Sequence, residues 1–277
     1  DDASGCHGGE ALQAFKWMST NEITDRQTSI YLARGHDNGA QCSPMQVARD
    51  CHPSEACFVP DNYKVYGVDQ FAAVKGEENM KQEIAQRGPL ACGIAVPDSL
   101  EEYKSGIYCD TTGDVNIVHD ISIVGYGIED GNKYWLVRNS WGTHWGENGF
   151  VRVCRGSNNI AIESDCAMAT PMDTWTADKR HATTQAEKDS PLNDKKVYDF
   201  PQPVYSLEHK KVVQPETNAF LAKPAGVAGG ACRVEKAFFV GGEKKNVPHA
   251  WDVLKDVPAN VNWADMNGVN YLSWSKN

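Results

Sequence analysis

The stretch that most narrows what this chain can fold into is Asn139-Ser140-Trp141-Gly142-Thr143-His144-Trp145-Gly146-Glu147-Asn148-Gly149-Phe150. Two tryptophans and three glycines within twelve residues do not suit a buried strand, where glycine weakens pairing and marks bends. The glycines permit turns, and indole rings can cover a polar pair from water. Twenty residues earlier runs Asn116-Ile117-Val118-His119-Asp120-Ile121-Ser122-Ile123-Val124-Gly125-Tyr126-Gly127, with His119 at the head of an apolar strand. A lone histidine there is ordinarily structural. In the company of Asn139 and Trp141 it becomes a candidate for proton transfer.

The rest of the pattern places these residues on an α+β scaffold. Apolar spacing predicts helices over 10–21 and 77–87, the second closed by Gly88-Pro89. Short β-rich runs over 90–96, 120–126, 134–138 and 149–153 predict a mostly antiparallel barrel or sandwich across 90–170. Residues 38–60 read as loop, with Cys42, Cys51 and Cys57 among three prolines. Beyond Met172 the composition turns polar and aperiodic, so 173–230 read as a linker. Residues 1–172 carry 24 acidic and 13 basic side chains, most of the acidity behind the net charge of −10. That balance argues against a nucleic-acid binder, which needs a basic footprint. No apolar run reaches ~18 residues, so no membrane-spanning helix is expected.

Those motifs resemble the papain family of cysteine peptidases, which work through a Cys-His-Asn constellation. The resemblance implies a two-subdomain fold, a helical left side and a barrel-like right side. It implies His119 as general base and acid, Asn139 as the acceptor that orients its ring, and Trp141 as the shield over that bond. Trp145 would line the primed side of the cleft. Cys6-His7-Gly8-Gly9 resembles the non-primed wall, where Gly8 and Gly9 admit an extended peptide; alone, those glycines would be a turn before a helix. Glu77–Ile94, Tyr103–Tyr108 and Ile160–Cys166 resemble the cathepsin X (cathepsin Z) branch. That likeness implies carboxypeptidase action, peptide or protein substrates, no cofactor and no metal. It places the protein in a lysosomal or secreted, oxidising compartment, which nine cysteines also favour.

The resemblance breaks at the nucleophile. No Cys-Gly-Ser-Cys-Trp stretch occurs in the 277 residues, nor the glutamine that precedes it in the family. Yet Val257–Tyr271 resembles a mature N-terminus of the cathepsin X branch, and 231–256 its propeptide. The expectation is a window from a tandem array. Residues 1–60 are then a left-subdomain remnant, 61–172 the right subdomain, 173–230 the linker, and 257–277 the start of a second unit. A circular permutation fits less well, since joining the ends still omits the nucleophile. By resemblance Cys92 pairs with Cys166 and Cys51 with Cys57, Cys6 and Cys42 have partners elsewhere, and Cys232 locks the second unit's nucleophile. Cys109 and Cys154 have no family partner and either pair across neighbouring strands or remain free. Residues 257–277 are expected to pack in cis on 61–172. Two other readings stand beside the peptidase: a pseudo-peptidase that binds peptides or proteins without cleaving them, and a cathepsin B-like endopeptidase, which the Cys232 segment and 257–271 disfavour.

Overall fold

The structure, a computed structural model, describes residues 9–29, 43–51, 56–173, 178–193 and 257–272. The chain divides into two compact units: Asp1–Ile23, Tyr66–Asp178 and Ala231–Asn277 form the first, and Thr24–Val65 with Lys179–Gly230 the second. In order, the elements are α1 (Ala11–Met18), α2 (Pro44–Val47), β1 (Asn62–Lys64), β2 (Val68–Val74), α3 (Glu77–Gln86), β3 (Leu90–Ile94), α4 (Asp98–Glu101), β4 (Ile107–Tyr108), β5 (His119–Glu129), β6 (Asn132–Arg138), β7 (Phe150–Cys154), β8 (Cys166–Pro171), β9 (Arg180–Ala182), α5 (Gln185–Lys188) and β10 (Val261–Asn262).

The first unit is built on an eight-stranded sheet in the order β2-β8-β3-β5-β6-β7-β4, with β10 added on β5. Its ladders are antiparallel except β4 on β7. The α+β class and the antiparallel sheet are as the alternation predicts. Strand β5 is long because its apolar run continues past Tyr126, and its burial follows the sequence, from Ile121 through Gly127. The core gathers Met80 and Ile84 of α3, Leu90 and Ile94 of β3, and Trp135 and Val137 of β6. Helix α3 begins with Glu77 and Glu78 in its first turn, where negative charge meets the positive end of the helix dipole. It stops before Gly88, whose φ of 119° only glycine adopts comfortably.

Two disulfides lie in this unit. The β3–β8 register sets Cys92 directly opposite Cys166, and the two are bonded. Parallel pairing sets Tyr108 beside Val153, so the next residues, Cys109 and Cys154, also meet and bond. The second of these pairs is the one the family resemblance left open.

The second unit pairs β1 with β9, Tyr63 facing His181 at a ring separation of 5.0 Å. Cys51 and Cys57 are bonded there. Helix α2 opens with a capping box between Ser43 and Gln46, and Asn193 accepts from the Met45 amide (3.0 Å). Residues 178–193 lie in the stretch whose polar composition reads as linker, and they form β9 and α5. A two-stranded ladder needs backbone groups rather than an apolar pattern, so composition conceals it. Likewise α1 packs with β2 and β8, so the first 23 residues group apart from residues 24–65. Gly8, Cys6, Cys42, Cys232, 231–256 and most of 173–230 lie outside the described residues.

Candidate active site

His119 is the first residue of β5, opposite Ile94 at the end of β3. Asn139 is the residue after β6, and the β5–β6 register pairs Ser122 with Arg138. Carried three residues further, that register sets Trp141 across from His119. Two adjacent antiparallel strands therefore deliver the histidine, the asparagine and the indole to one end of the sheet.

The geometry there is specific. His119 Nε2 lies 2.9 Å from Asn139 Oδ1. The same oxygen accepts from the Ser140 backbone N–H at 2.7 Å. An oxygen receiving a backbone N–H fixes the amide's orientation, because a flipped amide would set two donors against each other. An amide oxygen only accepts, so Nε2 carries the proton in this bond. In a neutral ring Nδ1 is then left with its lone pair, which is the arrangement a general base requires. Asn139 is 4% exposed and its backbone N–H donates to Gly149 O at 3.0 Å. Trp141 stacks on the His119 ring at 5.1 Å and 25°.

Behind Trp141 the support is aromatic and then ionic. Trp145 meets Trp141 edge-on at 4.9 Å and Tyr103 at 5.6 Å. Its Nε1–H donates to Glu101 O at 3.0 Å. Trp145 is 6% exposed. It belongs to the main core and touches the site through its contact with Trp141. Gly146, at φ 55°, makes the turn behind it possible: a Cβ there would lie 2.5 Å from Phe150 O and press on the Tyr103 ring.

Glu147 completes the brace by accepting from Arg152 Nε and Nη2 (2.9 and 2.8 Å) and from the Gly106 amide (2.9 Å). Burial pushes its carboxyl up, but the Arg152 and Gly106 bonds outweigh that and hold its pKa below the ordinary value. Burial also pushes the Tyr103 hydroxyl up to about 12. Tyr103, Glu147 and Arg152 were not evident from sequence, because their roles come from partners 41 or more residues apart or from a turn that composition does not specify.

Gly9 is exposed, just before α1. Among the described residues no cluster of His, Cys, Asp or Glu is placed to hold a metal, and no helix is long and apolar enough to cross a membrane.

The family model described as papain family cysteine protease matches residues 1–170. Cathepsin Z of Onchocerca volvulus is 38% identical over 180 residues, which cover 62% of this chain and 57% of that protein. A gut-specific cysteine proteinase of Caenorhabditis elegans is 34% identical over 176 residues, 58% and 51% of the respective chains. Among solved structures, a digestive procathepsin L 3 of the Tenebrio molitor larval midgut superposes with a TM-score of 0.48 at 27% identity, covering 60% of this chain and 50% of that one. The chain thus spans about half the length of the curated relatives it matches.

Proposed function

The chain belongs to the papain family of cysteine proteases, and from that premise we propose that His119 is the proton-transfer residue of a peptide-hydrolysing site. The observation that carries the reading is the 2.9 Å bond from His119 to Asn139, with Trp141 stacked over the ring. On this reading Nδ1 takes the proton of a cysteine thiol, and the resulting thiolate attacks the scissile carbonyl. The imidazolium then gives its proton to the departing amine. Asn139 keeps the ring in the tautomer and orientation that both transfers need, and Trp141 keeps water from competing for the hydrogen bond. Gly8 and Gly9 admit the substrate backbone.

The attacking thiol is not within the 277 residues in the expected context. On this reading it comes from polypeptide outside them, and the chain alone is expected to turn over no peptide. Carboxypeptidase specificity is supported by the likeness to cathepsin Z, and a lysosomal or secreted, oxidising location by the three disulfides. Residues 231–256 with Cys232 act as a propeptide lock, and 257–277 as the mature N-terminal segment of a further unit. The missing thiol is also what favours the second reading, a pseudo-peptidase that binds peptides without cleaving them.

The experiment compares the 277-residue chain with a longer version that carries a thiol-bearing segment. The chain alone is expected to hydrolyse no quenched peptide and to take up no epoxide thiol inhibitor at an active centre. Hydrolysis by it, blocked by that inhibitor, would overturn the account of the nucleophile. The longer version is expected to cleave free C-termini, to spare amidated ones, and to lose activity on His119→Ala. Full activity in His119→Ala refutes the role given to the histidine, and an inert longer version favours the pseudo-peptidase.

A further inference from the structure

One edge of the His119 strand is completed by a segment from far along the chain. Strand β5 uses residues 119–123 to pair with β3, the ladder ending where Leu90 faces Ile123. Beyond that point Gly125 and Tyr126 pair with Asn262 and Val261 of β10. The docking extends to both sides. Ile128 N–H donates to Asn260 Oδ1 at 2.9 Å, and the Tyr126 hydroxyl donates to Pro258 O at 3.1 Å. Trp263 donates its backbone N–H to Val124 O (3.1 Å) and its indole N–H to Ile84 O near the end of α3 (3.0 Å). Val261 is 7% exposed and part of the main core. The slot is also shaped for this approach, since a Cβ on Gly125 would lie 2.1 Å from Val261 O.

All of these contacts run from Pro258–Trp263 to β5 or α3, and β8, the preceding strand of the same sheet, ends at Pro171. The segment is thus remote from its slot in the sequence, and β9 and α5 lie between them along the chain. The bonds are the same whichever copy donates the segment, and that equivalence is what makes exchange between copies inexpensive. We propose that the β5 slot is a strand-exchange site that, at high protein concentration, takes Pro258–Trp263 from a second copy of this chain, giving a strand-swapped dimer. Without an occupant, the edge at 124–128 and the Ile84 carbonyl lose their partners, so the unit is completed either by its own segment or by a neighbour's.

Two measurements decide it. Isotope-labelled and unlabelled wild-type chains, concentrated to about 1 mM, loosened in urea with disulfides intact and returned to buffer, are expected to give mixed-mass dimers by native mass spectrometry. Dimer should recede on dilution toward about 10 µM. Finding only monomer at the high concentration, or the same dimer in Gly125→Val, overturns the proposal. Second, a fluorescent peptide of residues 257–272 should bind the full chain carrying Trp263→Ala at least ten-fold more tightly than wild type, whose slot is already filled. It should not bind Gly125→Val. If Trp263→Ala does not fold, Asn260→Ala, which removes only the Ile128 bond, is used instead. No binding to the folded variant refutes the exchange site.

Discussion

A double-mutant cycle on His119 and Asn139 tests the candidate site without any need for turnover. Asn139→Ala removes one oxygen that two donors share, His119 Nε2 and Ser140 N. Ser140 is exposed and the His119 ring is only half-buried, so water reaches both donors. The loss is therefore near the net value of a hydrogen bond, about 0.5–1.5 kcal/mol each, rather than the full cost of stranding a buried group. The single variant is expected to lose about 1–3 kcal/mol in total. His119→Ala loses the same shared bond plus the stacking on Trp141. The Ser140 bond cancels in the cycle, which leaves a coupling energy of about 0.5–1.5 kcal/mol for the His119–Asn139 contact. The assay is urea unfolding followed by tryptophan fluorescence on wild type, both single variants and the double variant. Distant sites add within about 0.3–0.5 kcal/mol. A coupling inside that band would falsify the statement that the two side chains are bonded, and with it the assignment of the Nε2 proton.

Three further outcomes follow from the same structure. The Glu147 carboxyl has a folded pKa below its unfolded value near 4.5, so it adds stability above that value and the contribution is lost as pH falls through the folded pKa. Glu147→Gln should therefore be less stable than wild type at pH 7, with the gap closing in acid; a gap constant from pH 7 to 3 contradicts this. The Cys92–Cys166 bond closes a loop of 74 residues, so the paired alanine variant should lose about 4.4 kcal/mol by loop-closure entropy; a loss under about 2 kcal/mol contradicts the entropic account. Burial pushes both Tyr103 and Tyr126 up to about 12. Absorbance at high pH should show their phenols ionising after the rest, and stability should fall as pH rises from 10 toward 12; a single transition near 10 contradicts it.

Much of the sheet was legible because its strands follow a simple period. The runs containing Leu90, Ile123, Trp135 and Val151 alternate or are wholly apolar, and all four became strands. Strands β2 and β8 were not legible. Phe71-Ala72-Ala73 and Ala167-Met168-Ala169 are runs of apolar residues with no polar residue between them, so they show no period-two alternation. Strand β9 was concealed for another reason, since Arg180-His181-Ala182 is polar and is held by its backbone to β1. The site divides the same way. His119, Asn139 and Trp141 stood out because unusual residues crowd a short stretch. Tyr103 did not, because it meets Trp145 from a distant position, and Glu147, inside the tryptophan loop, did not, because one of its partners is the remote Gly106 amide.

By itself the sequence determined the chemistry on offer. It specified an imidazole at the head of an apolar strand, an amide and two indoles in a glycine-rich turn, and no thiol in the context the chemistry expects. Only the tertiary structure decided how these meet. The register of β5 on β6 brings His119 to Asn139 and lays Trp141 over the ring, and the free edge beyond β3 takes up Pro258–Trp263. Residue type sets what a group can donate or accept, and that can be read locally. Which donor finds which acceptor depends on strand register and on packing between positions 20 to 132 residues apart, as in His119 with Asn139 and Tyr126 with Pro258, and no local pattern records it.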